Sequence, residues 1–380
     1  MEPTDPLQAV THGDPYPFYA RLRAGPPLAY DAALGLWVAS RAQVLDELFT
    51  HPTMRVRPVA EPVPAALASR PAGEVFARLV RMNDGTGHQP AKRVVEQVLA
   101  GAGTQDVEGA ATRIAVGLLP RAGDAEALNR WLFDVPVRSV AALLGFSDEV
   151  LGDIAAATRA FVACLSHFST PEQLADAHTA AKSLGERVAR LAEEGGTGIA
   201  AQLHVAAQAE HWDDTQAITA NLVGLLSQTY EATAGLIGNS LVVVSRHPDA
   251  LAQASGDWLR IVRETARFDS PVQNTRRFAA EPTVIAGVDL PAGAPVLLVL
   301  AAANRDPQTN PQPDVFDPQR AAPRLYSFSR GAHACPGQEM ACLVAAAALR
   351  ALHDGQARPD ADTLRWSYRP SANGRLPVFH

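Results

Sequence analysis

One segment near the C-terminus governs the interpretation of the whole chain: Phe328-Ser329-Arg330-Gly331-Ala332-His333-Ala334-Cys335-Pro336-Gly337. An alanine- and leucine-rich segment follows it, so we expect a loop that leads into a long helix. Backbone N–H groups and the start of that helix favour a thiolate at Cys335. A thiolate in a glycine-containing loop suits the axial ligand of a large, flat metal cofactor. His333, two residues earlier, could donate a hydrogen bond to an acidic group of such a cofactor.

Composition and charge exclude several classes of protein. The chain has 380 residues and a net charge of -7, so it lacks the basic surface expected for nucleic acid or an anionic membrane. It has no run of about 18 consecutive apolar residues, so we expect no membrane span. Its N-terminus is polar, so we expect no signal peptide. Cys164, Cys335 and Cys342 are too scattered for a disulfide framework and favour a reducing compartment. We therefore expect a soluble, cytoplasmic protein.

His88 and Lys92 form a second candidate site, because they are four residues apart. If a helix begins near His88, both side chains lie on one face of it. Two cationic donors on one face suit a pair of carboxylates on a ligand. The alternative is a solvated basic helix end without a ligand.

A long periodic segment, residues 216–246, predicts a helix that crosses the whole molecule. The segment Asp213-Asp214-Thr215 is expected to cap it, and Pro248 ends it. Glu231 lies in the apolar middle of this helix, where a carboxylate costs free energy unless it has a partner or a wet groove. A hydrogen-bonded structural carboxylate and a proton relay are equally compatible with that position.

Further along the chain, Glu264 and Arg267 are three residues apart on a predicted helix, a spacing that usually gives a solvated surface contact. Strand signals concentrate in residues 27–40, 272–300 and 365–380. Within the middle segment we predict a hairpin of 284–289 with 295–300. Ser40 is predicted to cap a helix over 41–49.

Taken alone, one cysteine is more often a small buried apolar residue than a ligand. The loop, however, resembles the haem-ligand loop of the cytochrome P450 superfamily, whose usual form is F-G-x-G-x-H-x-C-x-G. Ser329 stands where that family usually has glycine. His88 and Lys92 resemble the family's H-x-x-x-R pair, with lysine for arginine. Residues 264–267 resemble its E-x-x-R, and 271–277 its P-V-Q-x-x-x-R strand, so the resemblance covers essentially the whole chain.

This resemblance implies a mainly α fold with a small β-rich subdomain, formed by one domain over residues 1–380. Haem b would lie between the long central helix and the Cys335 loop, with Cys335 as the iron ligand. The resemblance implies a buried structural pair for Glu264 and Arg267. It also implies a set of residues that contact the haem: His88, Lys92, Arg277, Phe328, His333, Cys335 and Gly337.

The central helix departs from the family's A-G-x-[DE]-T-[TS] pattern. Glu231 matches the acid, but Gln228, Thr229 and Ala232 replace the usual Ala, Gly and Thr. Residues 225, 228, 229, 232 and 236 share one helix face, so two polar side chains would protrude where the family keeps space. The usual hydroxyl is absent at Ala232, and Thr233 lies about 100° round the helix. The resemblance makes Glu231, Ala232 and Thr233 the candidate catalytic residues.

The resemblance also implies a substrate pocket below a lid loop over residues 167–170. Arg55, Arg57 and Arg276 hint at a polar or acidic ligand, although surface arginines are usually only solvated. The candidate pocket residues are Leu225, Gln228, Thr229, Val272, Asn274 and Thr275.

The expected function is a monooxygenase that oxidises a small or medium organic substrate of secondary metabolism, using O2 and electrons from a ferredoxin and its reductase. Arg324 and Arg330, near the Cys335 loop, are candidate docking residues for that partner. The atypical central helix keeps open an oxidative coupling or peroxide-driven enzyme of the same fold. A non-catalytic haem-thiolate sensor is a third possibility, although it would usually need an output domain.

Overall fold

A computed structural model describes residues 2–166, 169–360 and 363–380. The predicted lid loop falls partly outside these ranges, because His167 and Phe168 are not among the described residues. Helices dominate, and they confirm the mainly α prediction. They are α1 (Pro6–Ala9), α2 (Tyr16–Ala24), α3 (Ala42–Thr50), α4 (Pro71–Arg78), α5 (His88–Gly101), α6 (Thr104–Gly117), α7 (Ala125–Leu144), α8 (Leu151–Ala163), α9 (Pro171–Glu193), α10 (Ile199–Ala209), α11 (Thr215–Arg246), α12 (Ala250–Gln253), α13 (Trp258–Phe268), α14 (Leu300–Asn304) and α15 (Gln338–Asp354).

Short 3-10 turns and strands complete the described chain. The turns are Val80–Met82, Gly85–Gly87, Asp148–Val150 and Gly331–His333. The strands are β1 (Leu28–Asp31), β2 (Leu36–Ala39), β3 (Met54–Arg55), β4 (Thr275–Ala279), β5 (Thr283–Ile285), β6 (Val288–Leu290), β7 (Pro295–Leu298), β8 (Trp366–Tyr368) and β9 (Pro377–Phe379).

The long central helix α11 is the axis of the helical core. It packs against α4, α7, α8, α9, α13 and α15, which suits a helix that is apolar on nearly every side. Asp214 caps its start by accepting a hydrogen bond from the Ala217 N–H at 2.9 Å. Asp214 lies within the predicted capping segment, and the predicted extent of this helix is confirmed. Within the described ranges, no helix is long and apolar enough to cross a membrane.

The larger sheet has the strand order β1-β2-β7-β4-β3. Strands β2 and β7 are parallel, and the other neighbours are antiparallel. The pairs β5–β6 and β8–β9 stand apart from this sheet. Every strand except β3 lies inside the predicted β-rich segments. Strand β4 is the one that matters for the site, because it carries Arg277.

The predicted hairpin of 284–289 with 295–300 is wrong. The hairpin instead joins β5 to β6 through Ala286 and Gly287, both with positive φ (50° and 77°), as a two-residue hairpin turn requires. Strand β7 pairs with β2 and β4. The Ala-Gly pair is a weaker turn signal than the Pro-Ala-Gly that follows it, so the sequence pattern favoured the wrong turn.

The predicted cap of α3 is also wrong. The helix begins at Ala42, and no side chain of its own N-cap position makes a capping bond. The carboxylate of Asp306 accepts the Ala42 N–H at 2.9 Å instead. Because Asp306 is remote in sequence, the local pattern around Ser40 could not reveal this cap.

A buried arginine ties both ends of the chain to the core. The Arg375 guanidinium donates to Asp269 at 2.7 Å and to the backbone carbonyls of residues 10, 12 and 13. Asn239 of α11 in turn donates to the Arg375 carbonyl at 3.1 Å. A buried charge is tolerated when its hydrogen bonds are satisfied in this way. This junction holds the C-terminal β8–β9 pair beside the central helix.

Candidate functional site

The loop before α15 contains two residues in the left-handed region of backbone space. Ser329 has φ 58° and Gly331 has φ 65°. A Cβ at Gly331 would lie 2.8 Å from the Phe49 carbonyl oxygen, so only glycine fits there. The φ of Ser329 explains why glycine is usual at that position in the resembled family. The loop closes with the Cys335 N–H donating to the Phe328 carbonyl at 2.7 Å.

We expect Ser329→Gly to raise the free energy of unfolding by about 1 kcal/mol. The substitution relieves the strained backbone of a left-handed serine. It also removes a hydroxyl oxygen that is buried and has no hydrogen-bond partner among the described residues. Together these gains exceed the ~0.5–1 kcal/mol by which the greater freedom of glycine favours the unfolded chain. Urea unfolding followed by tryptophan fluorescence measures the change.

Ser327→Gly is the matched control, two residues away in the same loop. Its hydroxyl donates to the Ala266 carbonyl and accepts from Asn304 at 2.7 Å and from Ser270 at 2.8 Å. Its loss should therefore lower stability. Destabilisation by both substitutions would contradict the account of Ser329.

Cys335 is exposed, yet burial raises the pKa of its thiol above the ordinary value. Both observations hold if the thiol borders an open space inside the protein. The Gly337 N–H and the charges of Lys92 and Arg81 act in the opposite direction. The predicted thiolate-favouring surroundings are thus present, but burial outweighs them while no metal is bound, and the metal-bound thiolate stays a prediction. A coordinated metal ion would reverse this, because a coordinating thiol loses its proton.

Two other predicted residues flank the thiol. Gly337 is the N-cap residue of α15, and a Cβ placed on it would meet no atom within 4 Å. Phe328 is partly buried against the edge of the helical core. A side chain at residue 337 would thus enter open space, and Phe328 packs against the helical core.

Helix α5 begins at His88, so His88 and Lys92 share a helix face as predicted. The Lys92 ammonium donates to the Ala334 carbonyl in the Cys335 loop and pairs with Glu96 at 3.2 Å. His88 Nε2 is buried and has no hydrogen-bond partner among the described residues. Burial lowers the pKa of His88 to about 4, so its ring is neutral at pH 7 and can donate one hydrogen bond.

His333 was predicted to face an acidic group of a cofactor, but its Nε2 already donates to Asp84 at 2.9 Å. Asp84 also accepts from the Val56 N–H at 3.0 Å. Burial acts to raise the Asp84 pKa, but these two hydrogen bonds lower it below its ordinary value. The other ring nitrogen, Nδ1, is buried without a partner in the described part of the chain. The His333 ring lies 4.5 Å from that of His88.

Arg277 extends from β4 toward the same region and is buried. Its guanidinium donates to the Arg276 carbonyl at 2.8 Å and lies 5.2 Å from the centre of the Phe49 ring. Burial lowers its pKa to about 10. Within the described ranges no carboxylate pairs with it. A buried guanidinium in this state is costly unless a ligand supplies the opposite charge.

Arg81 is a further cation that the sequence analysis did not identify. It lies in the turn Val80–Met82, outside any family motif quoted above. Its side chain is exposed, yet burial lowers its pKa, and the Cys335 thiol is close enough to act against that shift. Like Cys335, Arg81 therefore borders open space inside the protein. No signal in the local sequence separates it from an ordinary surface arginine.

These residues fit an iron macrocycle with two carboxylates. Among the described residues, no three His, Cys, Asp or Glu side chains come together as a metal site. A macrocycle supplies metal ligands of its own beside a single cysteine. The unpaired Nε2 of His88 and the guanidinium of Arg277, which has no carboxylate partner among the described residues, suit carboxylates on that macrocycle. Haem b has both features.

The predicted stripe on α11 is partly exposed at Leu225, Gln228, Thr229 and Ala232, while most of the helix around it is buried. The stripe ends before Leu236, which is buried. Gln228 and Thr229 were predicted to protrude, but both side chains make bonds within the helix. Gln228 Nε2 donates to the Gly224 carbonyl at 3.0 Å.

Thr229 and Thr233 form a hydroxyl pair, with 3.0 Å between their oxygens. Thr233 is buried and Thr229 is partly exposed. The pair places a hydroxyl on the exposed stripe one turn before Ala232, at which the usual hydroxyl is absent. One hydroxyl can thus hold the other in a fixed orientation.

Glu231 has an ion-pair partner, Arg369, at 3.5 Å. Both side chains are partly exposed, at 39% for Glu231 and 47% for Arg369. The carboxylate is tolerated in an apolar helix because it has an ion-pair partner and also contacts solvent. An exposed carboxylate of this kind can exchange protons with water.

Glu264 and Arg267 form a fully buried ion pair in α13, with contacts of 2.9 and 2.6 Å. Glu264 also accepts from the Asp317 N–H at 3.0 Å and from Arg320 at 3.3 Å. Arg267 donates to the carbonyls of Pro313 and Val315. The pair therefore fastens the segment before the Cys335 loop onto α13, unlike the surface contact that its spacing alone suggests.

The remaining predicted pocket residues come from the segment before β4 and from its start. Val272 and Thr275 are partly exposed. Asn274 is buried, and its amide donates to the Ala372 carbonyl at 2.8 Å. Asn274 thus belongs to the junction with the C-terminal segment, and the structure does not place it on an open pocket surface.

Comparisons with known proteins agree with this geometry. The family model for Cytochrome P450 matches residues 259–352, a range that includes Glu264, Arg267, Arg277 and Cys335. A putative cytochrome P450 133B2 of Xylella fastidiosa is 29% identical, and the match covers 80% of each chain. The vitamin D(3) 25-hydroxylase of Pseudonocardia autotrophica is 29% identical over 87% of this chain and 83% of that one.

Among solved structures, CalO2 superimposes with a TM-score of 0.84 at 24% identity. The match covers 100% of this chain and 98% of that chain. At this identity the likeness concerns the fold alone.

Proposed function

Because this chain belongs to the cytochrome P450 family, we propose that it hydroxylates, or otherwise oxidises, a small or medium organic molecule of secondary metabolism. It is an oxidoreductase of the monooxygenase type, and the cofactor of its family is haem b. Such enzymes combine O2 and a small-molecule substrate with electrons from a redox partner. The observation that carries the proposal is the Cys335 thiol, which borders an interior space near two donors without carboxylate partners, His88 and Arg277.

We assign the cofactor-binding roles from the free donors. Cys335 would bind the iron, and the unpaired Nε2 of His88 and the Arg277 guanidinium would hold the carboxylates, while His333 stays bonded to Asp84. Lys92 stabilises the Cys335 loop through the Ala334 carbonyl. When bound, haem b supplies the oxygen-activating chemistry, and a thiolate ligand favours O–O cleavage.

The protein's own part in the reaction is to position the substrate and to move protons. The stripe of Leu225, Gln228, Thr229 and Ala232 forms one wall of the proposed pocket. Glu231, which reaches solvent, takes up protons, and the Thr229 hydroxyl holds one on the pocket side. Thr229 thereby takes the role that Ala232 cannot fill.

Reconstitution tests the proposed function. Purified protein, ferredoxin, ferredoxin reductase and NADPH should convert a compound that shifts the haem spin state into a product with one oxygen atom from ¹⁸O₂. The free thiols of the described residues support a reducing cytoplasm as the setting. If the compounds that shift the haem spin state give no oxidised product, the proposal is contradicted.

Within that assay, Thr229→Val is expected to lower product formation by roughly 10²-fold, the scale of a positioned proton donor. The substitution removes the hydroxyl on the pocket side of the Thr229–Thr233 pair and keeps the side-chain volume. NADPH consumption should continue, with the electrons released as hydrogen peroxide. Product and peroxide per NADPH are the quantities to measure.

Thr229→Ser is the matched control, because it keeps the hydroxyl and should keep most of the product yield. Ala232→Thr in the Thr229→Val background should restore part of it. If Thr229→Val forms product as efficiently as the wild type, the proton donor lies elsewhere, for instance on the substrate.

A peroxide-driven or coupling enzyme is the second candidate, and the alanine at position 232 favours it. The same assay separates the two. Product formed with hydrogen peroxide alone, at a rate equal to that with ferredoxin, favours the peroxide-driven enzyme. A product that joins two substrate groups and contains no ¹⁸O favours coupling.

We propose that the electron donor docks on the face that carries Arg324 and Arg330. Both arginines pair with Asp46, at 3.1 and 3.0 Å. Their positive charge is therefore partly neutralised in the free protein, and an acidic partner would have to compete with Asp46. Such a face suits a weak, transient complex of the kind that electron transfer uses.

A further inference from the structure

The turn that carries Arg81 is held rigidly on the central helix. The Val80 N–H donates to Asn221 Oδ1 at 2.8 Å, and the Asn221 amide donates to the Arg78 carbonyl at 3.0 Å. Leu79 packs so closely on α11 that a Cβ at Gly224 would lie 2.8 Å from it. The turn Val80–Met82 is thus held against α11 beside Asn221 and Gly224, one helical turn before Gln228.

The guanidinium of Arg81 has no hydrogen bond or ion pair with any described residue. Nearby arginines differ in this respect. Arg78 bonds Gln216 and the Glu74 carbonyl, and Arg57 bonds Asn83 at 2.7 Å. A guanidinium that is accessible on an interior space and has no counter-charge is free to bind an anion there. Its presence here is explained if a ligand brings the opposite charge.

The other charged groups around the cavity indicate which kind of ligand Arg81 binds. The two carboxylates of the haem already have donors in His88, Arg277 and the remaining N–H of Lys92. Asp84 is engaged by His333. Arg81 is an additional cation on the same interior space as Cys335.

We infer that Arg81 binds the carboxylate of an acidic small-molecule substrate and that this contact orients the substrate beside the stripe on α11. A guanidinium can bind a carboxylate through two parallel N–H···O bonds, which fixes direction as well as distance. The inference rests on the proposed function and narrows its substrate class to organic acids.

The test uses the haem-loaded protein and two probe pairs, dodecanoate with dodecanamide and 4-phenylbutyrate with 4-phenylbutanamide. Binding is followed by the spin-state shift and, independently of the spectrum, by calorimetry. At least one carboxylate should bind 10-fold or more tightly than its amide. Arg81→Leu should abolish this preference, a loss of roughly 10- to 100-fold for a hydrogen-bonded charge. Arg81→Lys should keep part of it.

Arg78→Leu is the matched control, because it removes a guanidinium three residues away that already bonds Gln216 and the Glu74 carbonyl. This variant should keep the preference for the carboxylate. Equal binding of acid and amide by the wild type, or an unchanged preference in Arg81→Leu, overturns the inference. Transfer of haem to apomyoglobin is measured as well. If Arg81→Leu loses haem faster than the wild type and still prefers the carboxylate to the amide, Arg81 binds the haem and the inference is overturned. Carboxylate binding by calorimetry without oxidised product would instead contradict the proposed function and leave the Arg81 contact standing.

Discussion

Glu264→Ala is expected to lower the free energy of unfolding by about 3–5 kcal/mol, the cost of removing one partner from a buried ion pair. The substitution leaves Arg267 fully buried without a counter-charge, and it takes an acceptor from Arg320 and from the Asp317 N–H. For a chain of this length the loss corresponds to a fall in midpoint temperature of about 5 °C. Thermal unfolding, followed by fluorescence and by the haem absorption, measures it.

Glu339→Ala is the matched control. Glu339 also pairs with an arginine, Arg263, through two contacts of 2.7 and 2.8 Å, but both side chains are exposed. Exposed pairs contribute about 0–1 kcal/mol, so this variant should unfold close to the wild type. Equal and small effects of both substitutions would show that the buried pair does not stabilise the segment before the Cys335 loop.

Cys335→Ser is expected to reduce oxygenation by roughly 10³-fold or more, which corresponds to about 4 kcal/mol in the barrier. A serine hydroxyl keeps the volume of the side chain but lacks the electron donation of a thiolate. The loop itself should survive, because its shape depends on the φ values of residues 329 and 331 and on the hydrogen bond from the residue 335 N–H to the Phe328 carbonyl. Product per unit time in the ferredoxin assay is the measurement, normalised to bound haem.

Cys342→Ala serves as the thiol control for this experiment. Cys342 is buried in α15, and burial raises the pKa of its thiol to about 12, so it stays protonated. We expect its removal to cost some stability and no more than a small part of the activity. Loss of activity in Cys342→Ala equal to that in Cys335→Ser would mean that the effect comes from packing of the loop and α15.

The parts of the fold that the sequence could predict are those set by local signals. The capping segment of residues 213–215 and the unbroken apolar pattern after it predicted α11. The cap of α3 could not be predicted, because Asp306 reaches it from a remote part of the chain. The same holds for Arg375, whose partners lie near the opposite end of the sequence.

The site shows the same division. The residues that a motif marks, such as Cys335 and Arg277, could be proposed from the sequence, whereas their partners could not. His333 has a recognisable position in the motif, but its bond to Asp84 depends on the approach of two separate segments. The sequence around Arg81 does not differ from that around an ordinary surface arginine. Only its position near Cys335 in the folded protein distinguishes it. The hydroxyl pair of Thr229 and Thr233 likewise depends on which rotamers the packed helix allows.

The central claim is that Cys335 holds haem iron through a thiolate. The carbon-monoxide difference spectrum of the reduced, haem-loaded protein tests this most directly. We predict the strongly red-shifted Soret band of a thiolate-ligated haem in the wild type and in Cys342→Ala, and its loss in Cys335→Ser. A wild-type band at the shorter wavelength of haem proteins without a thiolate ligand, or a red-shifted band that persists in Cys335→Ser, would contradict the claim.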